Sequence, residues 1–172
     1  MDTAAIIIAI VGLFVSALSF GWQIATWALS GRRVKVRLIH GVEGRGGFAA
    51  GPVKRGGAPN DIRSMRSQGW SGREVLGIEV VNIGRANVTI KKYSVHPAGG
   101  GMSYTPHGDA IGPSLPFRLE PGESETWYSD MQDARALLKS LKVIGRSATR
   151  VRMGVNLGTG DERKTRRTLR VV

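Results

Sequence analysis

"VLGIEVVNIGRANVTIKKYSV", residues 75 to 95, decides the fold. Leu76, Ile78 and Val80 alternate with other residues and so share one face of a strand. "NIGRAN" then supplies Asn and Gly, the residues of a tight turn. A second strand follows, with Val88 and Ile90 inward. Its phase then slips to Tyr93 and Val95, which predicts a bulge near Lys91–Lys92. Two strands joined this closely form an antiparallel unit. The long helix of a parallel crossover does not fit between them.

The same period recurs outward from this unit. "RVKVRLIH", residues 33 to 40, puts Val34, Val36 and Leu38 on one face. "PFRLEPGESETWYS" reads as strand, Pro-Gly turn, strand. "TRVRMGVNL" and "RKTRRTLRVV" flank "GTGD", a hairpin signal. One helix interrupts the strands, over residues 130 to 142. Ser129 and Gln132 have capping-box spacing, and Met131, Ala134, Leu138 and Leu141 form its apolar face. Residues 41 to 73 hold nine glycines and read as a flexible Gly/Arg-rich loop carrying Trp70. About seven strands with short turns predict a mainly β protein, an antiparallel sandwich. Helices do not alternate with strands, which argues against parallel α/β.

The N-terminus is of another kind. Ala4 to Leu29 carry no charge, and about 20 apolar residues span a bilayer. Trp22 and Trp27 sit where an interfacial aromatic belt belongs. The segment lacks the basic start and small-residue cleavage site of a signal peptide, so it reads as a retained single-pass anchor. Only Asp2 precedes it, whereas Arg32, Arg33, Lys35 and Arg37 follow. The positive-inside rule then places the N-terminus outside and the rest at the cytoplasmic face of the cell membrane. The expected organisation is an anchor over 1–31 and a domain over 32–172.

Along the anchor, Ala5, Ala9, Gly12, Ser16, Ser19, Gln23 and Thr26 form a heptad-spaced stripe of small or polar residues. Such residues gather where membrane helices touch. The stripe predicts helix association, with a homo-oligomer or another protein as partner. A shorter row, Ala17, Gly21 and Ala25, shows that small residues also align without such a role.

The chain of 172 residues has 25 Lys and Arg against 13 Asp and Glu, a net charge of +12, and no cysteine. Disulfides and cysteine-based sites are thereby excluded. The excess lies in two blocks, residues 31–73 and 146–172, which points to an anionic neighbour. In the last hairpin, alternation puts Arg150, Arg152, Arg166 and Arg170 on the outer face, with Arg150 opposite Arg170. Opposed like charges destabilise a strand pair, and an anion would relieve them. The plain alternative is that these side chains splay into water.

Motifs for chemistry fail on context. "GRGGFA" matches G-x-G-x-x-A at Gly44, Gly46 and Ala49, but Gly51 and Pro52 follow where a helix must start. His40, His96 and His107 lack metal-ligand spacing. No catalytic, cofactor or metal residue is assigned, and an enzyme is not expected.

"EVVNIGRANVTI" and "FRLEPGESETW" resemble bacterial immunoglobulin-like or fibronectin-III-like β-sandwich domains, through Asn82, Gly84, Leu119, Pro121, Gly122 and Glu123. The likeness covers residues 74–128. It implies a sandwich and no catalytic residues. The whole chain also resembles small single-pass proteins of unknown function in high-GC bacteria or their phages. The expected function is a non-enzymatic, membrane-tethered binding module. The alternative is electrostatic capture of anionic lipid or, with few aromatics for stacking, nucleic acid through segments 32–73 and 146–170.

Overall fold

The computed structural model describes residues 3–29, 31, 33–106 and 111–171. Helix α1 spans Thr3–Leu29 and is followed by β1 (Val34–Gly44), β2 (Gly47–Pro52), helix α2 (Ile62–Ser67), β3 (Glu74–Asn82) and β4 (Val88–Pro97). Next come β5 (Phe117–Leu119), β6 (Ser124–Asp130), helix α3 (Met131–Val143), β7 (Arg150–Leu157), β8 (Glu162–Lys164) and β9 (Leu169–Arg170). One antiparallel sheet runs β2-β1-β3-β6 and the other β5-β4-β7-β8, with β9 also on β7. The expected β-rich organisation after one long apolar helix is present.

The core forms where the inward faces meet. Leu38, Leu76, Ile78, Val80 and Trp127 come from the first sheet, and Ile90, Tyr93, Val95, Met153 and Val155 from the second. The phase slip in β4 is real: its register against β7 shifts between Ile90 and Lys92, which lets Val88, Ile90, Tyr93 and Val95 all face inward. Each fully buried side chain of this size contributes about 1.5–3 kcal/mol by leaving water.

The two turn motifs bind one another. The Asn82 side chain accepts from the Gly84 N–H and donates to the Ala86 and Leu119 carbonyls. The Asn82 backbone bonds to Gly122 and Glu123. Gly122 holds φ +83°, a left-handed conformation that side chains disfavour. Asn82 is thus a buried polar clamp whose hydrogen bonds join the two strand turns.

Residues 41–73 correct the expectation of a flexible loop. They contain the second half of β1, then β2 and α2. The glycines serve close approach here. A Cβ at Gly41 would lie 2.1 Å from the Ala49 carbonyl oxygen, and one at Gly44 would lie 2.3 Å from the Trp70 ring. Trp70 therefore packs back on the strand, and Phe48 stacks on Tyr128 with centroids 4.2 Å apart. Composition alone does not separate glycines that loosen a chain from glycines that let two backbones touch.

Two smaller corrections concern α3 and the final hairpin. Asp130 caps α3, accepting from the Gln132 N–H, and the buried face uses Leu137, with Leu138 half-buried. The last predicted strand is broken into β8 and β9 by Thr165, whose hydroxyl accepts from Met153 N–H and donates to the Arg167 carbonyl.

Candidate binding groove

Strand β1 has odd-numbered residues whose backbone groups face β3. The Arg33 carbonyl accepts from Ile83 and Gly84, and Glu43 bonds to Arg73 and Gly72. In an antiparallel ladder these groups alternate. The backbone groups of Val34, Val36 and Leu38 therefore point the other way. Strand β2 covers that flank only from Ile39 to Gly44. Val53 N–H caps the Leu38 carbonyl, and below it the edge has no strand partner among the described residues.

The open half of β1 lies beside β8, itself the edge of the second sheet. Between them runs a groove of about 840 Å³. Val34, Val36 and Leu38 form its apolar floor, and the cations Lys35, Arg37, Arg163, Lys164, Arg166 and Arg167 line it. Arg37 pairs with Glu79 at 3.2 Å and Lys164 with Glu162 at 2.8 Å. Arg167 donates to the Val53 carbonyl and so pins the segment after β2 to the second sheet. Lys35, Arg163 and Arg166 have no acidic partner among the described residues.

The groove is tethered close to α1. Arg33 is fixed by its carbonyl to the β3–β4 turn, and only residues 30–32 separate it from the end of α1. The four steps from Leu29 to Arg33 span at most about 14 Å. Ile83, 58% exposed, projects from that same turn.

The upper half of β1 presents the opposite case. His40 is fully buried. Its Nδ1 accepts from the Asn60 N–H at 3.0 Å, so Nε2 carries the ring proton and donates to Glu74 at 2.9 Å. Asn60 also donates to the His40 and Gly51 carbonyls, and Arg135 donates to Glu74 at 2.6 Å. The His40 hydrogen bond, aided by Arg135 and opposed by burial, holds the Glu74 carboxyl down at about 2. Every charge in this network has an internal partner, and its role is to join β1, β3, α3 and the segment after β2.

The expected site residues fall in different places. Lys35 and Arg37, read as membrane flank, line the groove, as does Arg166. Arg32 lies outside the described residues. Trp22 and Trp27 are exposed near the end of α1, at 75% and 80%. Ala5, Ala9, Gly12, Ser16, Ser19, Gln23 and Thr26 are all exposed on α1. Two hydroxyls of this stripe bond within the helix, Ser16 to the Gly12 carbonyl and Thr26 to the Trp22 carbonyl, both at 2.8 Å. They keep only acceptor capacity for a neighbour.

Arg150 does face Arg170 across β7 and β9. That pair sits at the end of β7 opposite Leu157, about 23 Å along the strand at 3.3 Å per residue. Arg152 pairs in register with His96, and its Nε is buried without a hydrogen-bond partner. Burial lowers the His96 pKa, and Lys164 and Arg152 lower it further, against the raising effect of Glu162 at 2.9 Å. Sequence reasoning missed Arg163, Lys164 and Arg167 as partners of β1. The "RKTRR" run was the signal, but nothing local places it beside residues 34–38.

No family model, curated protein or solved structure matches the chain. The functional reading therefore rests on the geometry of the site.

Proposed function

We propose that the chain is a membrane-tethered, non-enzymatic binding module whose groove docks an anionic protein partner. Helix α1 is long and apolar enough to cross a bilayer, with a mean hydropathy of 2.5 over an 18-residue stretch of Thr3–Trp27 and none of that stretch buried against the domain. The cations after it favour a single pass with the N-terminus outside and the sandwich at the cytoplasmic face of the cell membrane. The strand orders β1-β3-β6 and β4-β7-β8 correspond to A-B-E and C-F-G of an immunoglobulin-like sandwich, which supports that finer reading of the fold.

The observation that carries the function is the groove itself. Two sheet edges, an apolar floor and unneutralised cations stand at the tethered end. Large one-sign fields steer and hold opposite charge. The second reading is anionic phospholipid, favoured by the short tether and by exposed Ile83 beside it. Nucleic acid ranks lower, because no aromatic ring lines the groove to stack a base.

The test is cross-linking capture by the full chain in its native membrane, with and without the Arg163→Glu, Arg166→Glu pair. Loss of a captured protein in the variant supports the reading. An unchanged set of captured proteins contradicts it.

A further inference from the structure

Resting on the groove as a docking surface, we infer that its occupant is an acidic, extended peptide segment that pairs with Val34–Arg37 as an added strand of the first sheet. Strand β2 and the open flank of β1 lie on one line: β2 pairs with Ile39–Gly44 and stops at Pro52, and the same flank continues unpaired along Val34–Arg37. A strand needs a neighbour about 4.8 Å away to satisfy its outward N–H and C=O groups. The Val34 and Val36 groups point into the groove, where a segment continuing the line of β2 meets them. Main-chain pairing then gives affinity, and alternate side chains give selectivity.

Charge chooses the sequence of that segment. Lys35 and Arg37 are exposed along the edge, and Arg163, Lys164 and Arg166 stand across the groove. A second copy of this chain would bring lysine and arginine against lysine and arginine, and like charges opposed across a strand pair are destabilising. An incoming strand with carboxylates at alternate positions sets them beside Lys35 and Arg37, which share that face of β1. Its intervening apolar side chains lie toward Val34, Val36 and Leu38. The acidic alternating strand satisfies the backbone, the floor and the cations of the β1 edge together, and its net negative charge suits the field of Arg163 and Arg166 across the groove. A lipid headgroup satisfies the cations and leaves the β1 amides without acceptors arranged along the strand.

The experiment uses the full chain in phosphatidylcholine nanodiscs and a fluorescent peptide alternating glutamate and valine. Binding is read by anisotropy. Methylating the amides along one edge of the peptide, and the matching edge in a second version, removes the donors of each flank in turn. One of the two is expected to weaken binding by about tenfold or more, through loss of the main-chain hydrogen bonds to Val34 and Val36. Val36→Pro removes an N–H that β3 does not use and is expected to weaken binding equally, whereas Val36→Ala retains most of it. Melting of each variant confirms that it is folded, and the methylated peptides keep the test open if Val36→Pro is not.

Equal binding of both methylated peptides, or of a lysine–valine peptide, overturns the inference. So does protection of the Val36 amide on changing the nanodisc to phosphatidylglycerol with no peptide present, which names lipid as the occupant. If no acidic peptide binds while groove charge reversal still abolishes capture from membranes, strand pairing falls and the docking groove stands. If capture is also insensitive to charge reversal, both fall.

Discussion

Strand β1 is one strand with two differently used halves. From Ile39 to Gly44 it is flanked on both sides, by β2 and β3, and His40, Gly41 and Val42 are buried. From Val34 to Arg37 it is flanked on one side only, and its polar surroundings are cationic. In the upper half each charged group has a partner inside the protein. In the lower half the cations outnumber the carboxylates that face them. Polar groups with internal partners hold a fold together, whereas charge left over at a concave edge is available to something external.

The largest effect is expected where the upper half is tightest. Gly41→Val drives a side chain into the Ala49 carbonyl and the Ala50 backbone, with the nearest atom 2.1 Å from the new Cβ. Denaturation of the full chain in detergent is expected to show a loss of about 3 kcal/mol or more, or no folded protein. Wild-type stability would show that β2 does not lie against β1.

His40→Leu comes next. It strands the Asn60 N–H and removes the partner of Glu74 Oε1, leaving Arg135 on the other oxygen, with an expected cost of about 2–3 kcal/mol. A similar loss from a conservative change at Lys35 would erase the distinction between the halves.

Acid titration sharpens the same point. Glu74 is held at about 2 in the fold against an ordinary 4.5. Its carboxylate therefore stabilises the protein fully above pH 4.5, and that contribution is lost as pH falls from 4.5 toward 2. The size is about 2–3 kcal/mol. Glu74→Gln is expected to flatten the stability profile in that window, and an unchanged profile contradicts the His40–Glu74 geometry.

In α1, Gly12→Ile with Ser16→Leu is expected to reduce cross-linked oligomers in detergent, by an effect of about 0.6–2 kcal/mol. Unchanged oligomers dismiss the stripe. The smallest stability effect is expected in the groove. Arg163→Glu with Arg166→Glu changes exposed side chains, so stability moves by no more than about 0.5 kcal/mol. A loss of several kcal/mol would make these arginines structural.

Much of the architecture was legible because it repeats with period two. Leu76, Ile78 and Val80, the slip after Ile90, and Arg150 opposite Arg170 follow from alternation alone. What stayed hidden depended on distance along the chain. Gly41 and Gly44 look like loosening residues until Ala49 and Trp70 are seen against them. His40 looks isolated until Asn60 and Glu74 close on it. Lys35 and Arg166 read as a membrane flank and a hairpin surface because their common groove is assembled by the packing of two sheets. Local periodicity carries the strands, and the site is a property of which edges the topology leaves unpaired.

Amide hydrogen exchange along β1 in the free full chain tests that division most directly. An alternating pattern is expected below Ile39, with Val34 and Val36 exchanging fast while Lys35 and Arg37, paired to β3, exchange slowly. Above it, Val42 is expected to be slow as well, held by β2. Slow exchange at Val36 in the unliganded protein would mean that the flank is already closed, and uniform fast exchange from 34 to 38 would mean that no ordered edge exists there to receive a partner.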